Sequence, residues 1–69
     1  MSESVYKVIE LVGTSEESWE KAAKNAVETA GKNLKNLRVA EIVKLDMKVE
    51  DSKVAAYRAR VNVSFKYES

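Results

Sequence analysis

Asp46, Glu50 and Asp51 place three carboxylates close together in this chain. Carboxylate oxygens are what a hard cation such as calcium collects, six to eight at a time. The spacing is not that of an EF-hand loop, which alternates its acids and closes on a glutamate. Asp46 is the strongest single candidate for a metal ligand, and a solvated turn or an ion pair between copies are the competing readings. Glu41 interrupts an otherwise apolar alternation of Val39, Val43, Leu45, Met47 and Val49. A carboxylate buried there needs a cationic partner or a proton. Arg58, Arg60 and Lys66 recur on the polar side of the last segment, with Lys44 and Lys48 on that of the one before. Such positions suit solvation, pairing with Glu10, Asp46 or Glu41 of another copy, or an anionic ligand. Trp19 could stack on a ligand, but it falls in register with an apolar helical stripe. That predicts an anchor against the sheet or a neighbouring protomer.

The rest of the composition excludes more than it suggests. Histidine and cysteine are both absent. The usual neutral-pH acid–base group, the thiol nucleophile, the disulfide and the commonest zinc ligands go with them. Proline is also absent, so there is no amine base of the tautomerase kind, and no glycine-rich phosphate loop is present. The chain reads as a non-enzyme. Twelve basic residues against 11 acidic ones give a net charge of +1, which is weak support for nucleic-acid binding. Tyr57, Phe65 and Tyr67 fall on an apolar alternation rather than on a wet face where bases could stack. No stretch approaches the length of a membrane span. Met1-Ser2-Glu3-Ser4 lacks the regions of a signal peptide, which predicts a cytoplasmic protein.

Periodicity gives the secondary structure on which these residues sit. Residues 1–69 make one domain. Val5 to Val12 reads as a strand with two mixed faces, broken by Gly13. Thr14 and Glu17 fit a capping box with Ser15 as the competing cap, so a helix is expected from near Glu16. Trp19, Ala23, Ala26, Val27, Ala30 and Leu34 form its apolar stripe, and Glu20–Lys24 and Glu28–Lys32 are candidate ion pairs. Gly31 lies inside the helix, where it permits a close approach, and the helix is expected to continue through Leu34. Val39 to Val49 is a second strand, and Glu50 to Lys53 a polar turn. Val54 to Tyr67 is a third strand of nearly perfect alternation. At about 3.3 Å per residue that strand would run about 46 Å. A compact chain of this size should measure only about 28 Å across. The mismatch, and a core too small to suffice alone, predict self-association.

The expected fold is α+β: a β-α-β-β protomer whose three-stranded antiparallel sheet, order 1-3-2, wraps around one helix. The run Val5-Tyr6-Lys7-Val8-Ile9-Glu10-Leu11-Val12-Gly13-Thr14-Ser15, with Trp19, Tyr57 and Val61-Asn62-Val63-Ser64-Phe65, resembles the dodecins from Ser4 to Glu68. The resemblance implies a hollow homododecamer that binds and stores a small ligand, flavin in many members and coenzyme A in some. Val39 stands where flavin-binding members carry a stacking tryptophan, Arg58 where a glutamine meets the flavin edge, and Asp46 where an arginine is often found. Valine has no aromatic face, and a base–aromatic stack contributes about 1–3 kcal/mol. Stacked-flavin binding is therefore expected to be weakened or lost. Ser18-Trp19-Glu20, Arg38-Val39-Ala40 and Asp46-Met47 are similar to the calcium dodecin subgroup, which also lacks that tryptophan. The alternatives are a calcium-binding shell and a structural shell with no small ligand.

Overall fold

The computed structural model describes residues 3–67. Met1, Ser2 and Glu68, at the two ends of the segments read above, lie outside them. The order is β1 (Tyr6–Ser15), α1 (Trp19–Asn33), β2 (Leu37–Glu50) and β3 (Lys53–Lys66). β3 lies between β1 and β2 and is antiparallel to both, so the expected order 1-3-2 and the β-α-β-β topology hold.

β1 does not stop at Gly13. It runs on to Ser15, with Gly13 opposite Ala59 of β3. Gly13 is buried, and a Cβ there would collide with the Ala22 carbonyl oxygen and lie 2.9 Å from the Ala26 Cβ. Glycine is required by the closeness of α1 rather than by a chain break. The helix consequently starts later than the capping-box spacing suggests. Ser18 is its N-cap, with its hydroxyl accepting from the Lys21 N–H at 3.0 Å. The Ser15 hydroxyl instead accepts from the Glu17 N–H at 2.9 Å, which shapes the preceding turn. Leu34 caps the other end, its N–H reaching the Ala30 carbonyl at 2.9 Å. The ion pairs also differ from expectation: Lys21 meets Glu17 at 2.8 Å, and Lys24 reaches Glu28, at 4.0 Å, rather than Glu20.

Ala22, Ala23, Ala26 and Ala30 of α1 close on Ala59, Val61 and Val63 of β3, with Ile9, Leu11, Val27, Leu34 and Leu37 at the margin. Ala22 was absent from the sequence stripe. Small side chains let helix and sheet approach, but the core they form is small. Gly31 needs no close approach, because a Cβ there would make only an ordinary contact, 3.6 Å from Leu37 Cδ1.

β2 departs most from simple alternation. Its pairing with β3 skips a residue at Arg38 and again at Val43. Each skip is a bulge, and the residues beyond it face the opposite way from a strict period of two. Leu37, Ala40, Ile42, Leu45 and Met47 therefore share the helix side with Phe65, Val63, Val61, Ala59 and Tyr57. Val39, Glu41, Lys44, Asp46 and Lys48 share the distal side. The expectation that Val39 and Glu41 lie with Leu45 and Met47 is overturned by the Val43 bulge. Asp51 and Ser52 close the hairpin at φ 52° and 63°. Two positive φ values in a two-residue turn match the right-handed twist of the strands.

The hairpin overshoots the helix. The molecule measures 53 × 20 × 17 Å, with a radius of gyration of 14.2 Å, against about 11 Å for a compact chain of this length. α1 lies over β1 and β3 and scarcely touches β2.

Candidate functional site

The side chains with chemical potential gather on the distal face, in cross-strand rows set by the register. Val8, Ser64 and Val39 form one row, and Glu10, Asn62 and Glu41 the next. Val12, Arg60 and Lys44 come third, and then Thr14, Arg58 and Asp46. Residues directly opposite across a sheet have Cβ atoms about 4.5–5.5 Å apart, so each row is a set of neighbours. Glu41 is thus not a carboxylate sunk in an apolar face. It is exposed and flanks Asn62.

Asp46 and Arg58 are brought together. Arg58 donates from Nε to Asp46 Oδ1 at 2.7 Å and from the guanidinium Nη2 to Oδ2 at 3.0 Å. This two-pronged geometry matches the planar fork to the carboxylate. The hydrogen bonds from Arg58 hold the Asp46 carboxyl below its usual range. Partial burial opposes that shift, while the charges of Arg58, Arg60 and Lys44 add to it. The Arg58 guanidinium is held correspondingly more basic. Both side chains remain nearly half exposed, at 42% and 44%, so solvent screens the pair.

The backbone of Asp46 does a second job. Its carbonyl accepts from Trp19 Nε1 at 3.0 Å, and the Trp19 ring meets Tyr57 edge to face, with centroids 5.0 Å apart. Trp19 thereby ties the first turn of α1 to the overhanging hairpin, which is the expected anchor role. Tyr57 was not singled out as its partner. The signal lay in its position beside Arg58 on the helix-side alternation.

Val39 stands apart. Its row is six residues along β3 from that of Asp46 and Arg58, Ser64 against Arg58. At about 3.3 Å per residue that is about 20 Å. Val39 is 62% exposed and lines a shallow pocket of about 240 Å3 with Val27, Leu37, Arg38, Ala40 and Val63. Val39, Asp46 and Arg58 do not share a pocket within one chain. As for metals, the described residues hold no group of three or more carboxylates placed to grip an ion. Both oxygens of Asp46 are engaged by Arg58.

A helix laid on an antiparallel 1-3-2 sheet, with an overhanging hairpin, defines a small α+β chain of the β-α-β-β class. The dodecin family model matches residues 5–68. The chain belongs to the dodecin family. It is 46% identical to the calcium dodecin of Mycobacterium tuberculosis over 63 residues, covering 91% of this chain and 89% of that protein. The structure of dodecin from Streptomyces coelicolor superposes with a TM-score of 0.92 at 33% identity, covering 100% of this chain and 99% of the other. That of the calcium-chelating antigen calcium dodecin from Mycobacterium tuberculosis superposes at 0.84 with 45% identity, covering 94% and 93%. No helix among the described residues is long and apolar enough to cross a membrane.

Proposed function

We propose that this chain is the protomer of a homododecameric shell that binds and holds a small ligand without transforming it, and that stacked flavin binds weakly or not at all. The observation that carries this reading is the distance of about 20 Å between Val39 and the Asp46–Arg58 fork on one protomer. Positions so far apart contribute to one pocket only when two copies meet, so ligand binding and assembly are one property here. Val39 offers methyl groups where the family's flavin binders offer an aromatic ring. Asp46 and Arg58 satisfy each other instead of presenting free donors and acceptors to a flavin edge.

Two measurements test this. Native mass spectrometry should find twelve copies and reveal any retained ligand. Titration should leave the fluorescence of added riboflavin nearly unquenched at micromolar protein, and Val39→Trp should restore quenching. Submicromolar quenching by the parent protein would overturn the assignment at Val39.

Calcium is the second reading, favoured by the 46% identity to a calcium dodecin. Asp46 would be a ligand to the ion, and the Arg58 fork would have to open for it. Calcium titration should then give heat that Asp46→Asn abolishes. Heat that survives that substitution would remove Asp46 from the reading.

A further inference from the structure

Four residues close a circuit of contacts through the sheet. Trp19, the first residue of α1, donates from Nε1 to the Asp46 carbonyl at 3.0 Å. The Asp46 carboxylate takes two hydrogen bonds from Arg58, at 2.7 and 3.0 Å. Arg58 follows Tyr57 in the chain, and the Tyr57 ring returns to Trp19 edge to face, with centroids 5.0 Å apart and planes at 68°. The Asp46–Arg58 fork lies on the distal side of the sheet and Tyr57 on the helix side, so the circuit passes from one face to the other.

The fork is too exposed to hold its own geometry. An ion pair this open to water gains little and spends side-chain freedom on one arrangement. Two parallel hydrogen bonds also demand that carboxylate and guanidinium stay aligned. Alignment therefore has to come from the backbone at Asp46. β2 is an outer strand of the sheet, so Asp46 is steadied by β3 on one side and by the Trp19 indole on the other. Among the described residues α1 gives β2 no other hydrogen bond. The next pair along the hairpin, Lys48 and Glu50, lies beyond this tie. It comes only to 3.2 Å, and both of its side chains are 60% exposed.

We propose that Trp19 is a positioning residue for the Asp46–Arg58 pair: from the far face of the sheet it keeps the fork closed, and it registers the fork's opening. A divalent cation that takes Asp46 has to part the fork, and its arrival is then felt at the first turn of α1. The inference rests on the ligand reading above only for what does the opening. The link between the two faces stands on the contacts themselves.

Fluorescence tests the link in one direction. Trp19 is the only tryptophan, so its emission can be followed alone. Asp46→Asn and Arg58→Lys each loosen the fork without altering the indole, and each is expected to shift the emission to longer wavelength and to ease quenching by acrylamide. If one of the two loses its fold, the other carries the test. Arg60→Ala changes a charge one row away that makes no hydrogen bond to Asp46, and should leave the emission in place. The reverse direction uses Trp19→Phe, which keeps a ring beside Tyr57 and drops the N–H. Asp46→Asn should lower the melting temperature less in that background than in the parent, because groups in one network are not additive. An emission unmoved by both fork variants overturns the proposal, as do an equal shift from Arg60→Ala and an equal loss in the two backgrounds. Calcium added to the parent should move the emission as the fork variants do, and should leave Asp46→Asn unchanged. If calcium moves nothing while the fork variants still do, the calcium reading fails and the positioning role of Trp19 stands.

Discussion

Residues 59 to 63 of β3 are sealed on their helix side by the alanines of α1, while β2, paired to that same strand, leaves Val43, Leu45, Met47 and Val49 about half in solvent. One sheet therefore holds two environments. Under the helix, stability comes from closeness: small side chains, a required glycine and no enclosed polar group. Beyond it, the hairpin is held by backbone pairing and by two polar ties, Trp19 Nε1 to the Asp46 carbonyl and the Arg58–Asp46 fork. The first region folds the protomer. The second leaves apolar side chains in solvent.

The sharpest way to test that division is at Gly13. A methyl group there meets the Ala22 carbonyl and comes 2.9 Å from the Ala26 Cβ, and backbone cannot step aside as a flexible side chain can. Gly13→Ala is expected to cost about 3 kcal/mol, the upper range for overpacking, read from urea denaturation. A loss below about 1 kcal/mol would mean that helix and strand have room to separate.

Next in size is one substitution made in both regions. Val61 is fully buried and Val49 is 61% exposed. Val61→Ala should cost about 2 kcal/mol from lost contacts and the cavity left behind. Val49→Ala should cost less than about 0.5 kcal/mol in the separated protomer. If both cost the same at concentrations where the protein is dissociated, the contrast between the two environments fails.

A smaller effect has the opposite sign. Gly31 occupies an exposed helical position with space for a Cβ. Gly31→Ala should stabilise by about 0.5–1 kcal/mol, since alanine forfeits less backbone freedom. Thermal melts decide it, and destabilisation would show that Gly31 serves a contact between copies.

The same division explains what could be read from the sequence. The order of elements, the long third strand and the overhang were legible because alternation and helical spacing are local signals. β2 was not, because a bulge at Val43 leaves no mark that a period of two can detect, and it moved Glu41 to the wet face. The end of β1 was misplaced at Gly13 because a glycine needed for helix contact looks, in one dimension, like a glycine that breaks a strand. At the candidate site, the Asp46–Arg58 pair needs the hairpin register, which the bulges set.

The smallest expected effect probes the tie that holds the overhang. The Asp46 carboxyl titrates below its ordinary 3.8 when folded, chiefly through the hydrogen bonds from Arg58. A folded value below the unfolded one means that unfolding raises proton affinity. Stability from this group is then fully present above the ordinary value and is lost as pH falls through the depressed one. Glu17 shifts in the same direction through Lys21, so acid weakens the protein by more than one route. Comparison with Asp46→Asn removes that ambiguity, because Glu17 is common to both chains and cancels in the difference. The parent's advantage in melting temperature should be steady at pH 5 and above, and should shrink as pH falls below the ordinary carboxylate value of about 4. Added salt should reduce it too, since both partners are half in solvent. A difference that ignores pH would mean that the fork contributes shape and not charge.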